Sequence, residues 1–166
     1  MLMTDVIVRP ARLADADAIA RLNNTFADVG LMLRRAPAAI ALAIDDYVVA
    51  ADGRGVLVGC GALKEYSPSL GEVAATAVAP DAHGRGVGKA VVGAVEALAL
   101  KRGIDHVFAL TLQPGFFDAL GYEQAERARF PEKIRRDCVG CARRFACTEI
   151  CFAKRLAVTS MGAMAA

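Results

Sequence analysis

His83-Gly84-Arg85-Gly86-Val87-Gly88-Lys89 lies between two stretches of unlike periodicity, and that position decides how the chain folds. Before it, Glu72-Val73-Ala74-Ala75-Thr76-Ala77-Val78 reads as a strand ended by Pro80, because proline cannot donate to a ladder. After it, an Ala/Val/Leu-rich run reads as a helix reaching about Arg102, where Gly103 closes it. The order is therefore strand, glycine turn, helix. The first amides of a helix have no acceptor within it and lie at the positive end of its dipole, so they attract phosphate oxygens. Glycines let the backbone come close to a ligand and take conformations that a Cβ forbids. The turn is a candidate phosphate cradle with Arg85 and Lys89 as nearby charge; a plain tight turn bearing solvated cations is the competing reading. It is not a P-loop, which needs four residues between its glycines and a Lys-Ser/Thr ending, nor the dinucleotide fingerprint, which opens a chain's first βαβ unit.

Working outward, Val6 to Arg9 alternates and ends at Pro10 as a short first strand. Asp15 is placed to cap a helix in which Ala18, Ile19 and Leu22 recur at helical spacing. A turn at Gly30 leads through Leu31-Met32-Leu33-Arg34-Arg35 to a second helix from Pro37 through Ile44. Tyr47 to Ala51 and Gly55 to Leu63 form an antiparallel pair, with Asp52-Gly53 as the hairpin turn. His106 to Leu112 is a further strand, Phe116 to Leu120 a short helix stopped by Gly121, and Glu149 to Leu156 a last strand. This order predicts an α/β (α+β) domain over residues 1–156, with a mixed sheet and helices on its faces, and a loose tail over 157–166.

Bulk properties narrow the function. With 166 residues the chain is of single-domain size, and a net charge of +2 from 20 basic and 18 acidic residues favours neither nucleic acid nor an anionic membrane. Apolar runs fall short of the roughly 18 residues that span a bilayer. The first dozen residues carry neither a signal nor a transit pattern, which points to the cytoplasm.

The glycine turn with its preceding strand resembles the coenzyme-A motif of the GNAT superfamily, Gln/Arg-x-x-Gly-x-Gly/Ala, with His83, Gly86 and Gly88 in the first, fourth and sixth slots. His83 departs from the usual Gln or Arg. Phe116-Phe117-Asp118-Ala119-Leu120-Gly121-Tyr122 is similar to a second hallmark of that superfamily. The resemblance implies acetyl-CoA as cosubstrate and a twisted, mostly antiparallel sheet with a V-shaped splay between its two central strands. It also implies a bulge near Val78, pantetheine pairing with amides near Ala77 and Ala79, a backbone N–H near Val78 for the oxyanion, and coenzyme contacts from Gly84, Val87 and Phe117.

More of the chain, from about Val6 to Leu156, resembles the short stand-alone N-acetylglutamate synthase family, which acetylates an amino acid at the start of arginine biosynthesis. The carriers are Leu31 to Arg35, Gly59 to Leu63, Gly71-Glu72, Leu110 to Phe117, Phe130-Pro131-Glu132-Lys133 and Asp137-Cys138, while Ala74 and Arg34-Arg35-Ala36 depart from the family pattern. A small acceptor bearing carboxylates wants cationic partners, and Arg34, Arg35 and Lys64 are the candidates. Glu72 is the family-like general base, suited to the role if burial beside an apolar slot raises its pKa. Phe117 stands where many GNAT enzymes carry an acidic tyrosine, so the resemblance gives Thr111 the task of protonating the thiolate. That substitution also keeps alive a non-catalytic acyl-CoA-binding module, beside a second enzymatic reading with another small amine or a protein N-terminus as acceptor. Cys60 reads as a small buried hydrophobe. Cys138-x2-Cys141-x5-Cys147-x3-Cys151 offers four thiols for structural zinc, with a disulfide or redox pair and unlinked thiols as alternatives. A homodimer is compatible with everything above.

Overall fold

The computed structural model describes residues 5–157; the expected tail lies, from residue 158 onward, outside the described residues. Seven strands form one sheet in the order β1 (Ile7–Pro10), β2 (Tyr47–Ala51), β3 (Leu57–Ser67), β4 (Leu70–Val78), β5 (His106–Thr111), β7 (Ile150–Arg155) and β6 (Glu123–Gln124). Every neighbouring pair is antiparallel except β4 and β5. Parallel neighbours need a long crossover, which here contains α3 (Val87–Lys101). This is the mixed, mostly antiparallel sheet that the element order implied.

All five residues of β2 are buried, which requires cover on both faces. Val48 and Ala50 pack with Val91, Val92 and Val95 of α3. Tyr47 and Val49 point the other way and meet Ile19 and Ala20 of α1 (Ala16–Asp28) and Ile40 of α2 (Pro37–Leu42). A third cluster on that second face joins Leu70, Phe108, Phe130 and Cys151. Helix α3 sits close because β3 carries Gly61, where a Cβ would lie 2.8 Å from Val91 Cγ1. Among the described residues no helix is long and apolar enough to cross a membrane.

Two local expectations need correction. Asp52-Gly53 is not a two-residue hairpin turn: the Asp52 carboxylate accepts from the amides of Arg54 and Val56, both at 2.9 Å, and the left-handed residue is Gly55. The aspartate's own side chain stabilises a wider loop. Nor does Asp15 cap α1 with its side chain. Its carboxylate accepts from the Arg12 amide at 2.8 Å and takes a forked pair from Arg9 at 2.7 and 3.0 Å, because a charged fork outcompetes helix amides. The strand β6 and the helical segment α5 (Pro131–Lys133), continued as a π turn over Ile134–Cys138, were not foreseen.

The close approach of α3 sets opposite signs for two glycine substitutions. Gly61→Ala should destabilise by about 1–3 kcal/mol through overpacking. Gly93→Ala, in α3 with open space around its Cβ, should stabilise by about 0.5–1 kcal/mol. Urea unfolding midpoints shifted in the same direction by both would contradict this packing.

Candidate active site

Gly84 and Gly86 both have left-handed backbones, with φ of 72° and 80°, and α3 begins at the next residue. The first helical bond runs from the Ala90 amide to the Gly86 carbonyl at 3.0 Å. The amides of Val87, Gly88 and Lys89 therefore have no acceptor among the described residues. Gly88 is small for a different reason: a Cβ there would lie 3.0 Å from the ring of Phe116, on α4 (Pro114–Ala119). Arg85 is half-buried and Lys89 exposed, and neither has an acidic partner among the described residues. His83 takes a structural part in the turn: Nε2–H donates to the Val78 carbonyl at 2.7 Å, and the ring stacks near Phe26.

The sheet opens beside this turn. The β4–β5 ladder holds only three pairs, Leu70 with His106, Gly71 with Val107 and Glu72 with Phe108. Beyond Glu72, β4 follows β3, while β5 follows β7 as far as Thr111 opposite Ile150. The β3–β4 register shifts between Cys60 and Ala62, opposite Ala75, whose φ of 51° makes it the one non-glycine in the left-handed region among the described residues. A bulge of this kind bends its strand, and here it turns β4 away from β5. Two expected coenzyme contacts are lost: the Ala79 amide donates to the Val58 carbonyl at 2.8 Å, and Ala77, in register with Cys60 and two residues earlier in the strand, points the same way, so both amides face β3. Val78 turns its carbonyl away from β3 toward His83, and in an extended strand its amide points the same way, so that amide faces the gap.

Glu72 lies at the vertex, only 5% exposed. Its hydrogen-bond partners are a cation and a hydroxyl. Lys133 Nζ and the Tyr66 hydroxyl each donate to Glu72 Oε2 at 2.8 Å. The second carboxylate of this cluster is Asp137, which receives Lys64 at 2.8 and 2.7 Å, Lys133 at 3.1 Å and the Tyr66 hydroxyl. Burial works against the charge of Asp137, but hydrogen bonds from Lys64, Tyr66 and Lys133 outweigh it and hold the carboxyl well below the usual range. Burial likewise lowers the Lys133 ammonium, yet Glu72 and Asp137 bring it above its ordinary value. Two cations and two anions thus share a half-buried patch over β3 and β4.

The acetyltransferase (GNAT) family model matches residues 21–122, a span containing the turn, the fork and Glu72. The chain belongs to the GNAT acetyltransferase family. An uncharacterized N-acetyltransferase of Chlorobaculum tepidum is 42% identical over 152 residues, 92% of this chain and 97% of its own. The amino-acid acetyltransferase of Mycobacterium tuberculosis is 34% identical over 122 residues, covering 72% of this chain and 70% of that one. N-acetylglutamate synthase from Neisseria gonorrhoeae, complexed with coenzyme A and N-acetyl-glutamate, superposes with a TM-score of 0.83 at 28% identity, over 92% of this chain and 35% of that longer one. This GNAT acetyltransferase is accordingly an acetyl-CoA-dependent enzyme with the open, mostly antiparallel sheet of its family.

The remaining candidate residues of the acetyltransferase separate clearly. Arg34 is exposed and paired with Asp28, and Lys64 is committed to Asp137, so neither is free. Arg35 is half-buried without an acidic partner among the described residues. Its backbone is pinned on both sides, N–H to Asn24 Oδ1 and C=O to Asn24 Nδ2, each at 2.9 Å. Burial pushes the Tyr47 hydroxyl up, and the nearby Arg35 guanidinium opposes it. Thr111 alternates with Val107 and Ala109 and so lies on the α3 face, opposite Glu72; its hydroxyl accepts from the Gln113 amide at 2.8 Å. Phe117 is a core residue packed between Phe116 and Tyr122, and Phe116 is the one that meets the turn. Cys60 is fully buried with its thiol pushed up to about 12 by burial, as befits a small core side chain.

Zinc is not supported. Among the described residues no group of three or more His, Cys, Asp or Glu side chains is arranged to hold a metal. The reason is pairing: Cys151 stands opposite Leu110 in the β5–β7 ladder and is drawn into the core with Phe108 and Phe130, away from the loop that carries Cys141. Cys147 instead takes a hydrogen bond from Arg127 at 3.3 Å, and Cys138 sits on the π turn.

The functional residues that the sequence pattern does not single out are Tyr66, Lys133 and Asp137, which surround Glu72. Period-two spacing of Lys64 and Tyr66 on one strand was the available signal. Because the folded pKa of Asp137 is depressed, its contribution to stability exists above the ordinary aspartate value of 3.8 and disappears as pH falls through the folded value. The melting-temperature difference between wild type and Asp137→Asn should be constant near neutrality and shrink below about pH 4. A difference unchanged down to acid pH would contradict the cluster.

Proposed function

We propose that the chain transfers the acetyl group of acetyl-CoA to the α-amine of glutamate, or of a close analogue such as glutamine, as the cytoplasmic opening step of arginine biosynthesis. The observation that carries this reading is the meeting of free helix amides and a parted β4–β5 pair at one end of the sheet, with a buried carboxylate at the vertex. The residues present fit coenzyme A. Amides of Val87, Gly88 and Lys89, with Arg85 and Lys89 side chains, suit its diphosphate, and the Val78 amide suits the oxygen that becomes anionic during acyl transfer. The bound coenzyme supplies an activated thioester.

Glu72 removes a proton from the incoming ammonium so that its nitrogen has a lone pair to attack with. Thr111, whose hydroxyl oxygen already accepts from Gln113, passes its proton to the departing sulfur and is reprotonated by the proton that the nitrogen sheds as the amide forms. Arg35, rigidly held through Asn24 and free of any acid among the described residues, suits a carboxylate of the acceptor. The amino-acid acetyltransferase of Mycobacterium tuberculosis and the gonococcal synthase support an amino-acid acceptor.

An acceptor panel followed by free-thiol release tests the reading. Glutamate or glutamine should give the highest kcat/KM, and turnover confined to unrelated amines would sink the assignment. Glu72→Gln should lower kcat by roughly 10²–10⁴. Arg35→Ala should raise the acceptor KM about tenfold or more, as loss of a charged hydrogen bond implies, with little change in the KM for acetyl-CoA.

A further inference from the structure

Both side-chain hydrogen bonds that reach Glu72 fall on the same oxygen. Tyr66 and Lys133 donate to Oε2, while Oε1 accepts nothing from the described residues. Yet Oε1 is not sealed in. Among the described residues the buried, unpartnered side-chain atoms closed to solvent are Asn23 Oδ1 and Thr76 Oγ1. Oε1 is therefore an open acceptor on an otherwise buried carboxylate, at the level where β4 and β5 part.

We infer that Tyr66 and Lys133 are positioning residues for the proton transfer: by occupying Oε2 they fix the carboxylate so that Oε1 alone takes the proton of the acceptor ammonium. This rests on the reading of Glu72 as the base. A carboxylate on a single anchor can rotate and offer either oxygen in many directions; two donors from different elements remove that freedom. Tyr66 comes from β3 and Lys133 from α5, so the two donors reach Oε2 from separate elements. Donors to a carboxylate make it a weaker base, and the gain is orientation at the reacting atom.

The cluster also accommodates the change of charge. The groups facing Glu72 are Lys64 and Tyr66 from β3, Lys133 and Asp137 from α5 and its π turn, and Cys151 from β7; Arg136 lies 5.1 Å over the Tyr66 ring. Tyr66 has one hydroxyl proton and two carboxylate neighbours, Glu72 and Asp137. When Oε1 accepts a proton, Glu72 becomes neutral and the tyrosine's hydrogen bond passes to Asp137, which stays ionised against Lys64 and Lys133. One proton moves, from the acceptor nitrogen to Oε1. Tyr66 and Lys133 keep theirs.

Steady-state kinetics across about pH 5.5 to 9 test this in wild type, Tyr66→Phe, Lys133→Met, Lys133→Arg and Glu72→Gln, with circular dichroism confirming the fold. Tyr66→Phe should lower kcat about tenfold, the worth of one hydrogen bond, with acceptor KM nearly unchanged. It should also move the acidic limb of kcat/KM to higher pH, because a donor to the charged carboxylate has been lost. Lys133→Met should show both effects more strongly, and Lys133→Arg should recover much of kcat. If Lys133→Met does not fold, Tyr66→Phe and Lys133→Arg carry the test. Folded Tyr66→Phe and Lys133→Met enzymes with wild-type kcat and acidic limb, beside an inactive Glu72→Gln, overturn the positioning role alone. A Glu72→Gln enzyme with wild-type kcat overturns the base reading itself.

Discussion

The hydrogen-bonded ladder between β4 and β5 stops after three residue pairs, and the site depends on that interruption. Two adjacent parallel strands ordinarily satisfy each other's backbone groups along their whole shared length. Here the left-handed Ala75 and the register shift opposite Gly61 turn β4 away, leaving the amide of Val78 without a strand partner on that side. A gap in a sheet exposes backbone groups that a ligand can satisfy. The same constraint fits the order of elements: the crossover from the end of β4 returns through α3, so the helix and its free amides begin beside the gap.

Electrostatically the site has two ends. At the turn, helix amides with Arg85 and Lys89 form a cationic edge with no acid opposing it among the described residues, suited to phosphate. At the vertex, Glu72 and Asp137 face Lys64 and Lys133, two acids against two cations within a mostly buried cluster. A buried ion pair is weak evidence for stability, since desolvation offsets much of the attraction. Its place at the fork suits a role for the charge there.

Much of this could be read from the residues. Hydrophobic period and the glycine turn located β4, α3 and β5, because those signals are local and the elements obey them. The vertex carboxylate was legible through its place in a family-like motif. What surrounds it was not: Tyr66 and Lys133 meet Glu72 across 6 and 61 residues of chain, and long-range contacts leave no local period. The same holds for the cysteines. Their spacing suggests a metal until β7 pairs with β5 and carries Cys151 into the core. Asp15 and Asp52 depart from their local signals because a nearby partner, Arg9 in one case and the loop's own amides in the other, competes for the same carboxylate. Charge alone points Lys64 toward a substrate, while the fold pairs it with Asp137.

Amide hydrogen exchange on the folded protein, with and without acetyl-CoA, tests the central claim most directly. Slowed exchange confined to Val78 and to the turn from His83 through Lys89 is the result expected if the coenzyme lies along the fork. Binding that leaves those amides exchanging at their original rate, or that protects the α1 surface around Arg21 and Asp28 instead, would contradict the account.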